Sequence, residues 1–183
     1  MIEIKKGIVL IAEPFLKDPN FSRTVIILCE HNNEGSIGFV LNKPFAATLE
    51  DLIPELQGLN WPIFYGGPVE PDSIHFLHNN LSLLPDSNEI TDGIFWSSDF
   101  RTLIALLKEG KVQQNDIRLY LGYSGWGQGQ LQDELNEKTW VIAKAESTYV
   151  FDMNATEIWT KAMMKKGGDY KLMANFPTDP QLN

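Results

Sequence analysis

Residues Gly122 to Leu131 combine four glycines with a serine and a tryptophan in the order GYSGWGQGQL. The preceding residues, 117–122, alternate in the manner of a strand, and Leu131 and Leu135 are spaced as on one helix face. Glycine tolerates positive φ and lets a ligand or another backbone approach closely. The start of a helix also offers free N–H groups with partial positive charge. The segment therefore predicts a binding loop between a strand and a helix.

Three glycine signatures with known chemistry fail in this segment. A dinucleotide fingerprint would need a third glycine at Gln130, and a phosphate loop would need lysine at Gln128. A nucleophile elbow would need glycine at Trp126, although Ser124 has the right position for the nucleophile. A serine hydrolase therefore stays an alternative, and the competing interpretation makes Ser124 an ordinary turn residue.

The histidines and the single cysteine predict no metal site and no cofactor. His75 and His78 are three residues apart on a predicted strand, so they point to opposite faces. His31 begins a turn and could act as a base or be held by a backbone carbonyl. Cys29 lies within an apolar run, where a buried and inert thiol is expected.

The helix after the glycines carries the remaining polar candidates. Gln130 and Glu134 share one helix face because they are four residues apart. Glu134 is interpreted as a surface carboxylate, or as one that reaches back to the glycine loop or to the Gly66-Gly67 turn. Trp126 is expected to anchor the core, with an exposed stacking platform as the alternative.

Apolar periodicity predicts the elements that position these residues. Helices are predicted at 48–56, 98–109, 131–135 and 154–166, and the last fifteen residues are predicted to be irregular. Strands are predicted at 7–12, 24–30, 36–41, 62–65, 74–78, 93–97, 117–122, 140–143 and 148–151. Because strands and helices do not alternate regularly, the prediction is a single α+β domain over residues 1–183 with a mixed sheet.

Composition limits the function classes. The 183 residues carry a net charge of −9 with only 15 lysines and arginines, which disfavours direct nucleic-acid binding. One cysteine excludes an intramolecular disulfide, and neither a signal peptide nor a membrane-spanning run is evident. We expect a cytoplasmic protein with no membrane association.

Taken together, these segments resemble the AlgH/YqgE family of small bacterial proteins. The resemblance extends in unbroken order from the first predicted strand to the last residue. Its strongest part is the glycine segment with Glu134, Leu135 and Trp140. The other matching pieces are 7–12, 21–25 with 29–31, 38–44, 66–69, 77–78 and the tail 179–183.

The resemblance implies an α+β fold with a mixed, barrel-like sheet flanked by helices, and it carries the label of a transcriptional regulator. It implies no reaction and no cofactor. The family pattern often has alanine at the position of Ser124, which disfavours a serine nucleophile. Proline is frequent at the position of Gln128, a mild departure at the helix start.

The first functional hypothesis is therefore a non-enzymatic regulatory or binding protein that acts through a protein or small-ligand partner. The alternatives are a hydrolase that pairs Ser124 with His31 or His78, and a DNA-binding regulator. DNA binding would have to use Lys161, Lys165, Lys166 and Lys171. We also expect positive φ or a close backbone approach at Gly125, Gly127 or Gly129. The predicted binding residues are His31, Asn42, Gly66, Gly67, Gly125, Trp126, Gly127, Gly129, Gln130 and Glu134.

Overall fold

A computed structural model of the chain describes residues 3–91, 93–151 and 154–176. The tail 179–183 that contributes to the family resemblance lies outside them. The described strands are β1 (Ile8–Ala12), β2 (Val25–Asn32), β3 (Gly35–Val40), β4 (Pro44–Thr48), β5 (Pro62–Tyr65), β6 (Val69–His78), β7 (Asn88–Thr91), β8 (Ile94–Ser97), β9 (Ile117–Gly127) and β10 (Trp140–Lys144). The described α-helices are α1 (Leu49–Leu52), α2 (Phe100–Lys108), α3 (Gln130–Asn136), α4 (Ser147–Phe151), α5 (Ile158–Lys166) and α6 (Asp169–Met173).

These strands form one curled sheet in the order β10-β1-β2-β3-β9-β6-β8-β7, and β4 joins it through β5, which pairs with β9. The β5–β9 pair is parallel, and the other described pairs are antiparallel. The sheet is therefore mixed and curls into a half-barrel with helices against it. This confirms the predicted α+β class. The single-domain assignment stays a prediction.

Strand β9 runs through the segment predicted to be a loop, so that prediction is wrong. The strand continues from Ile117 to Gly127. Its last four residues pair with β3, in a register that sets Ser124 opposite Gly38 and Gly127 opposite Gly35. Gly125 is therefore part of a ladder, and the link to α3 is only two residues long.

Both faces of the sheet are buried at its centre. Along β1, Val9 and Ile11 pack in the cluster that includes Trp159 of α5, whereas Leu10 packs on the opposite face with Leu131 of α3. This alternation explains why the strand reads as a continuous apolar run. The indole of Trp159 also donates a hydrogen bond of 2.9 Å to the carbonyl oxygen of Ala12, which fixes α5 to the sheet.

Other departures from the sequence prediction have local causes. The predicted helix 48–56 breaks after Leu52 because Pro54 forces Ile53 into an extended conformation, and a 3₁₀ turn follows. Residues 148–151 belong to helix α4, not to a strand. Their aromatic and β-branched residues favoured a strand, but the packing of Tyr149 and Val150 in the core overrides this propensity. Residues 169–173, predicted to be irregular, form helix α6. None of the helices in the described ranges is long and apolar enough to cross a bilayer.

Candidate functional site

The Gly66-Gly67 turn carries the backbone across strand β9. β5 and β6 pair with the same stretch of β9 around Leu121, and a strand has only two edges. The link between β5 and β6 must therefore pass over one face of β9. The N–H of Gly66 donates to the carbonyl oxygen of Leu121 at 2.8 Å, and the carbonyl oxygen of Gly66 accepts from the Ser124 hydroxyl at 3.0 Å.

The crossing leaves no room for side chains. A Cβ atom on Gly67 would lie 2.2 Å from the carbonyl carbon of Tyr123, and one on Gly66 would lie 2.2 Å from the carbonyl oxygen of Gly122. Gly67 has φ of +155° and Gly122 has φ of +65°. These glycines therefore serve backbone packing, which accounts for them without a ligand.

Glu134 accepts hydrogen bonds from two tryptophans. Its Oε2 atom accepts from Nε1 of Trp126 at 2.8 Å and from Nε1 of Trp140 at 2.7 Å, while its Oε1 atom accepts from Nε2 of Gln130 at 2.9 Å. Both indoles are almost fully buried, with 6% and 4% of their surface exposed. Trp126 is thus the expected core anchor. Glu134 reaches back to the glycine segment, in agreement with the second of its two interpretations.

The expectation of positive φ is confirmed at Gly129. This residue precedes α3 with φ of +77°, in open space. Gly125 and Gly127 are extended within β9. The N–H of Gly127 donates to Oε1 of Gln130 at 3.0 Å, so the side chain that begins α3 already uses this donor.

A cleft of about 310 Å³ opens between the β2–β3 hairpin and the junction of β6 with β9. It contains two of the predicted residues, Gly125 and Trp126. Because Gly125 has no side chain, the floor of the cleft stays open beside Ile37, which lies opposite it in the β3–β9 ladder. The cleft is lined by Glu30, Asn32, Glu34, Gly35, Ser36, Ile37, Val69, Tyr123, Gly125 and Trp126.

The cleft is acidic. Glu30 and Glu34 line it, and the carboxylate of Glu70 lies against the phenol of Tyr123. Burial and the Glu70 carboxylate raise the pKa of Tyr123, so the phenol stays protonated and donates its hydrogen bond to Glu70. Among the described residues, no lysine or arginine lies in ion-pair range of these carboxylates. Their negative potential is therefore not locally neutralised.

His31 and Asn42 do not join the cleft. The Nδ1 atom of exposed His31 lies 2.8 Å from the Ser36 hydroxyl, across the hairpin. Asn42 lies at the other end of β3, where its amide accepts from the N–H of Val25 and donates to the carbonyl oxygen of Arg23. The structure thus separates the ten predicted residues into the backbone crossing, the Glu134 network, the cleft and these two hairpin contacts, with Gly129 apart from all of them in open space before α3.

The hydrolase alternative has no geometric support. The hydroxyl of Ser124 is fully buried, within a strand, and donates to a backbone carbonyl oxygen. The histidines contact other serines: His31 contacts Ser36, His75 contacts Ser73, and His78 contacts Ser87. Cys29 is buried as expected, and burial raises the pKa of its thiol far above the usual range.

Ser124 is expected to be unreactive. A fluorophosphonate probe should leave the native protein unlabelled, because the hydroxyl is inaccessible and has no histidine beside it. Intact-protein mass spectrometry measures the labelling, with an active serine hydrolase in the same tube as the positive control. A phosphonate adduct on wild type that is absent from Ser124→Ala would contradict this expectation.

The sequence prediction missed eight of the ten residues that line the cleft, among them Glu30, Glu34 and Tyr123. Glu30 precedes the predicted Asn-Asn-Glu-Gly turn and Glu34 lies within it, and the hairpin register would have placed Glu30 opposite Ile37. The available signal was therefore the acidic hairpin tip. The position of Tyr123 in the cleft depends on the extension of β9 past Gly122, which the glycine content concealed.

Comparisons with known proteins agree on one family. The family model described as AlgH-like (DUF179) matches residues 9–171. A UPF0301 protein of Cytophaga hutchinsonii is 41% identical over 181 residues, which cover 98% of this chain and 100% of that protein. A UPF0301 protein of Chlorobaculum parvum is 41% identical over 180 residues, covering 98% and 96% of the two chains.

Two solved structures are similar in fold. The solution structure of the AlgH protein from Pseudomonas aeruginosa superposes with a TM-score of 0.75 at 28% identity, covering 97% of this chain and 98% of that one. A crystal structure of a Corynebacterium diphtheriae protein gives a TM-score of 0.80 at 22% identity, covering 96% and 94%.

Proposed function

The chain belongs to the AlgH-like family. We propose that it is a non-enzymatic binding protein whose acidic cleft receives a cationic group of its partner. The observation that carries the proposal is a cleft of about 310 Å³ lined by Glu30 and Glu34, whose carboxylates have no ion-pair partner among the described residues. An ammonium or guanidinium group is the complementary chemistry, on a protein side chain or on a small molecule.

The shape of the cleft supports a ligand with both apolar and charged parts. Ile37 and Val69 supply apolar walls, and Glu30 and Glu34 supply charge at the hairpin. One oxygen of Glu30 accepts from the amide of Asn32 at 2.8 Å, which orients the carboxylate. A long aliphatic side chain that ends in a cation satisfies both parts of the lining.

The absence of an activated nucleophile among the described residues favours binding over catalysis. Burial lowers the pKa values of His75 and His78, so both rings are neutral near pH 7, but both lie within aromatic surroundings and outside the cleft. The described His, Cys, Asp and Glu residues form no group that could hold a metal ion.

A regulatory role remains a proposal, and contact through a partner has more support than direct DNA binding. Lys161 and Lys165 form ion pairs with Glu157 and Glu146, and Lys166 donates to a backbone carbonyl oxygen. These contacts leave few cations for phosphates in a chain of net charge −9. The cytoplasmic location also stays a prediction.

The cleft is expected to bind N-butylguanidinium with a dissociation constant of roughly 1 mM, in line with a fragment of this size. Amide chemical shifts of Tyr123 and Ile37 report the titration. Glu34→Gln and Glu30→Gln should each weaken binding at least about threefold because they remove charge with little change of shape. Gly125→Val should abolish it by filling the cleft, since a Cβ there meets Tyr123 and Val69 at ordinary contact distances of 3.4 and 3.5 Å.

Two controls separate the cleft from general charge effects. Sodium butyrate has the same aliphatic chain with the opposite charge and should not shift these amides. Glu137→Gln removes one exposed carboxylate at the end of α3, away from the cleft, and should bind like wild type. Equal binding by Gly125→Val, or shifts confined to other surfaces, would contradict the proposal.

A further inference from the structure

Strand β10 ends the sheet with one free edge. It pairs with β1 on one side, and no described strand pairs with its other side. A free edge presents backbone N–H and C=O groups that another extended backbone can match. The cleft and this edge have no lining residue in common, so a ligand at the edge and a cation in the cleft would bind to separate surfaces.

The outward backbone groups can be assigned from the ladder. The N–H of Ala145 donates to the carbonyl oxygen of Gly7, and the N–H of Glu13 donates to that of Thr139. Alternation in an antiparallel pair then directs the backbone groups of Trp140, Ile142 and Lys144 away from β1. The ammonium of Lys166 donates to the carbonyl oxygen of Ile142 at 2.9 Å, which agrees with this assignment.

A groove of about 680 Å³ runs along the same edge. Helix α3 contributes Leu135 to one side, and α6 contributes Tyr170 to the other. Trp140 and Ile142 of the strand itself lie between them, and Ile4 adds an apolar surface. The groove thus combines backbone groups that face away from β1 with apolar side chains.

We infer that β10 binds a single extended segment of a partner protein, which adds as a strand to this edge and places apolar side chains in the groove. The five residues of β10 set the length of the segment. A second copy of the chain fits less well, because helices wall the edge on both sides and would meet the helices of the copy before the two strands paired. This mode of recognition takes affinity from backbone hydrogen bonds and selectivity from alternate side chains.

Lys166 competes with such a segment for one acceptor. Its ammonium occupies the carbonyl oxygen of Ile142, so the incoming backbone must displace it. The same contact from the end of α5 protects the edge when it is unoccupied, because a charged lysine at an edge disfavours unwanted strand pairing. Removing the ammonium should therefore strengthen binding of an uncharged peptide.

The test uses the full chain and a capped pentapeptide that alternates threonine and valine. Its binding is followed through the amide resonances of Trp140 and Ile142, which should shift and become protected from hydrogen exchange. The matched control peptide has the same side chains with every peptide nitrogen methylated. We expect this control to bind at least about tenfold more weakly, because it cannot donate to the edge.

Two variants make the test specific. Ile142→Pro removes an outward N–H that β1 does not use, so the sheet should persist while peptide binding falls at least about tenfold. Lys166→Met should tighten binding about threefold or more, since it removes the competing donor. If the proline variant fails to fold, the methylated peptide still distinguishes backbone pairing from apolar contact.

The inference is overturned if the pentapeptide causes no shifts at several millimolar, or if the methylated peptide binds equally well. It is also overturned if sedimentation shows self-association that protects the amides of Trp140 and Ile142, because a second copy would then occupy the edge. Loss of cationic ligand binding in the cleft would leave this inference untouched, since the two sites share no residue.

Discussion

Gly67→Ala is expected to abolish folding or to lower the free energy of unfolding by at least about 3 kcal/mol. The new Cβ would lie 2.2 Å from the carbonyl carbon of Tyr123 and 2.4 Å from the backbone nitrogen of Ser124. Backbone atoms of a central strand cannot move aside as a flexible side chain can. The φ of +155° adds strain that glycine alone avoids. Urea denaturation followed by circular dichroism measures the loss.

Gly127→Ala is the matched control for this prediction. It also replaces a glycine by alanine, but at the end of β9, four residues beyond Tyr123. The nearest atom to a new Cβ there is Oε1 of Gln130 at 4.0 Å. We expect its free energy of unfolding to stay within about 0.5 kcal/mol of wild type. Gly129→Ala should lie between the two, at about 1 kcal/mol, because its φ of +77° is strained but its surroundings are open. If Gly67→Ala melts like Gly127→Ala, the crossing is not sterically constrained.

The buried strands could be predicted from sequence because their patterns are local. The run 7–12 is apolar and β-branched, as is typical of a buried strand. The hairpin has two such runs on either side of the Asn-Asn-Glu-Gly turn. The course of β9 could not be predicted in this way. Glycines usually interrupt strands, and the reason for glycine at Gly122 is the chain that passes over it from Gly66 to Val69. That reason is a contact between residues more than fifty positions apart in the sequence.

The candidate site was predictable only in part for the same reason. The spacing of Gln130 and Glu134 indicated a shared helix face, and the structure brings both to Trp126. Nothing local indicated that Trp140 would donate to the same carboxylate, since it belongs to an edge strand beyond the helix. The cleft likewise joins a hairpin, a strand end and Tyr123 from distant parts of the chain. Three-dimensional proximity of this kind follows from sheet order, which periodicity does not specify.

Glu134→Ala is expected to lower the free energy of unfolding by about 3 kcal/mol. The change removes the acceptor of two indole N–H groups, on Trp126 and Trp140, that are almost completely buried. An unpaired buried donor costs about 1–3 kcal/mol, and two donors lose their partner together. The amide of Gln130 loses its acceptor as well, which loosens the contact between α3 and the end of β9. Urea denaturation followed by tryptophan emission measures the loss directly, because the affected side chains are the fluorophores.

Two further variants distinguish the hydrogen bonds from charge and from helix content. Glu137→Ala removes the same charge from the exposed end of α3 and should change stability by no more than about 0.5 kcal/mol. Glu134→Gln keeps one carbonyl oxygen that can accept from both indoles, but its amide nitrogen faces the donor amide of Gln130. We therefore expect a loss of about 1 kcal/mol, between wild type and the alanine variant. Equal losses for Glu134→Ala and Glu137→Ala would show that the carboxylate of Glu134 acts only as a surface charge. The two tryptophans would then owe their positions to apolar packing alone, in the cluster they share with Leu131.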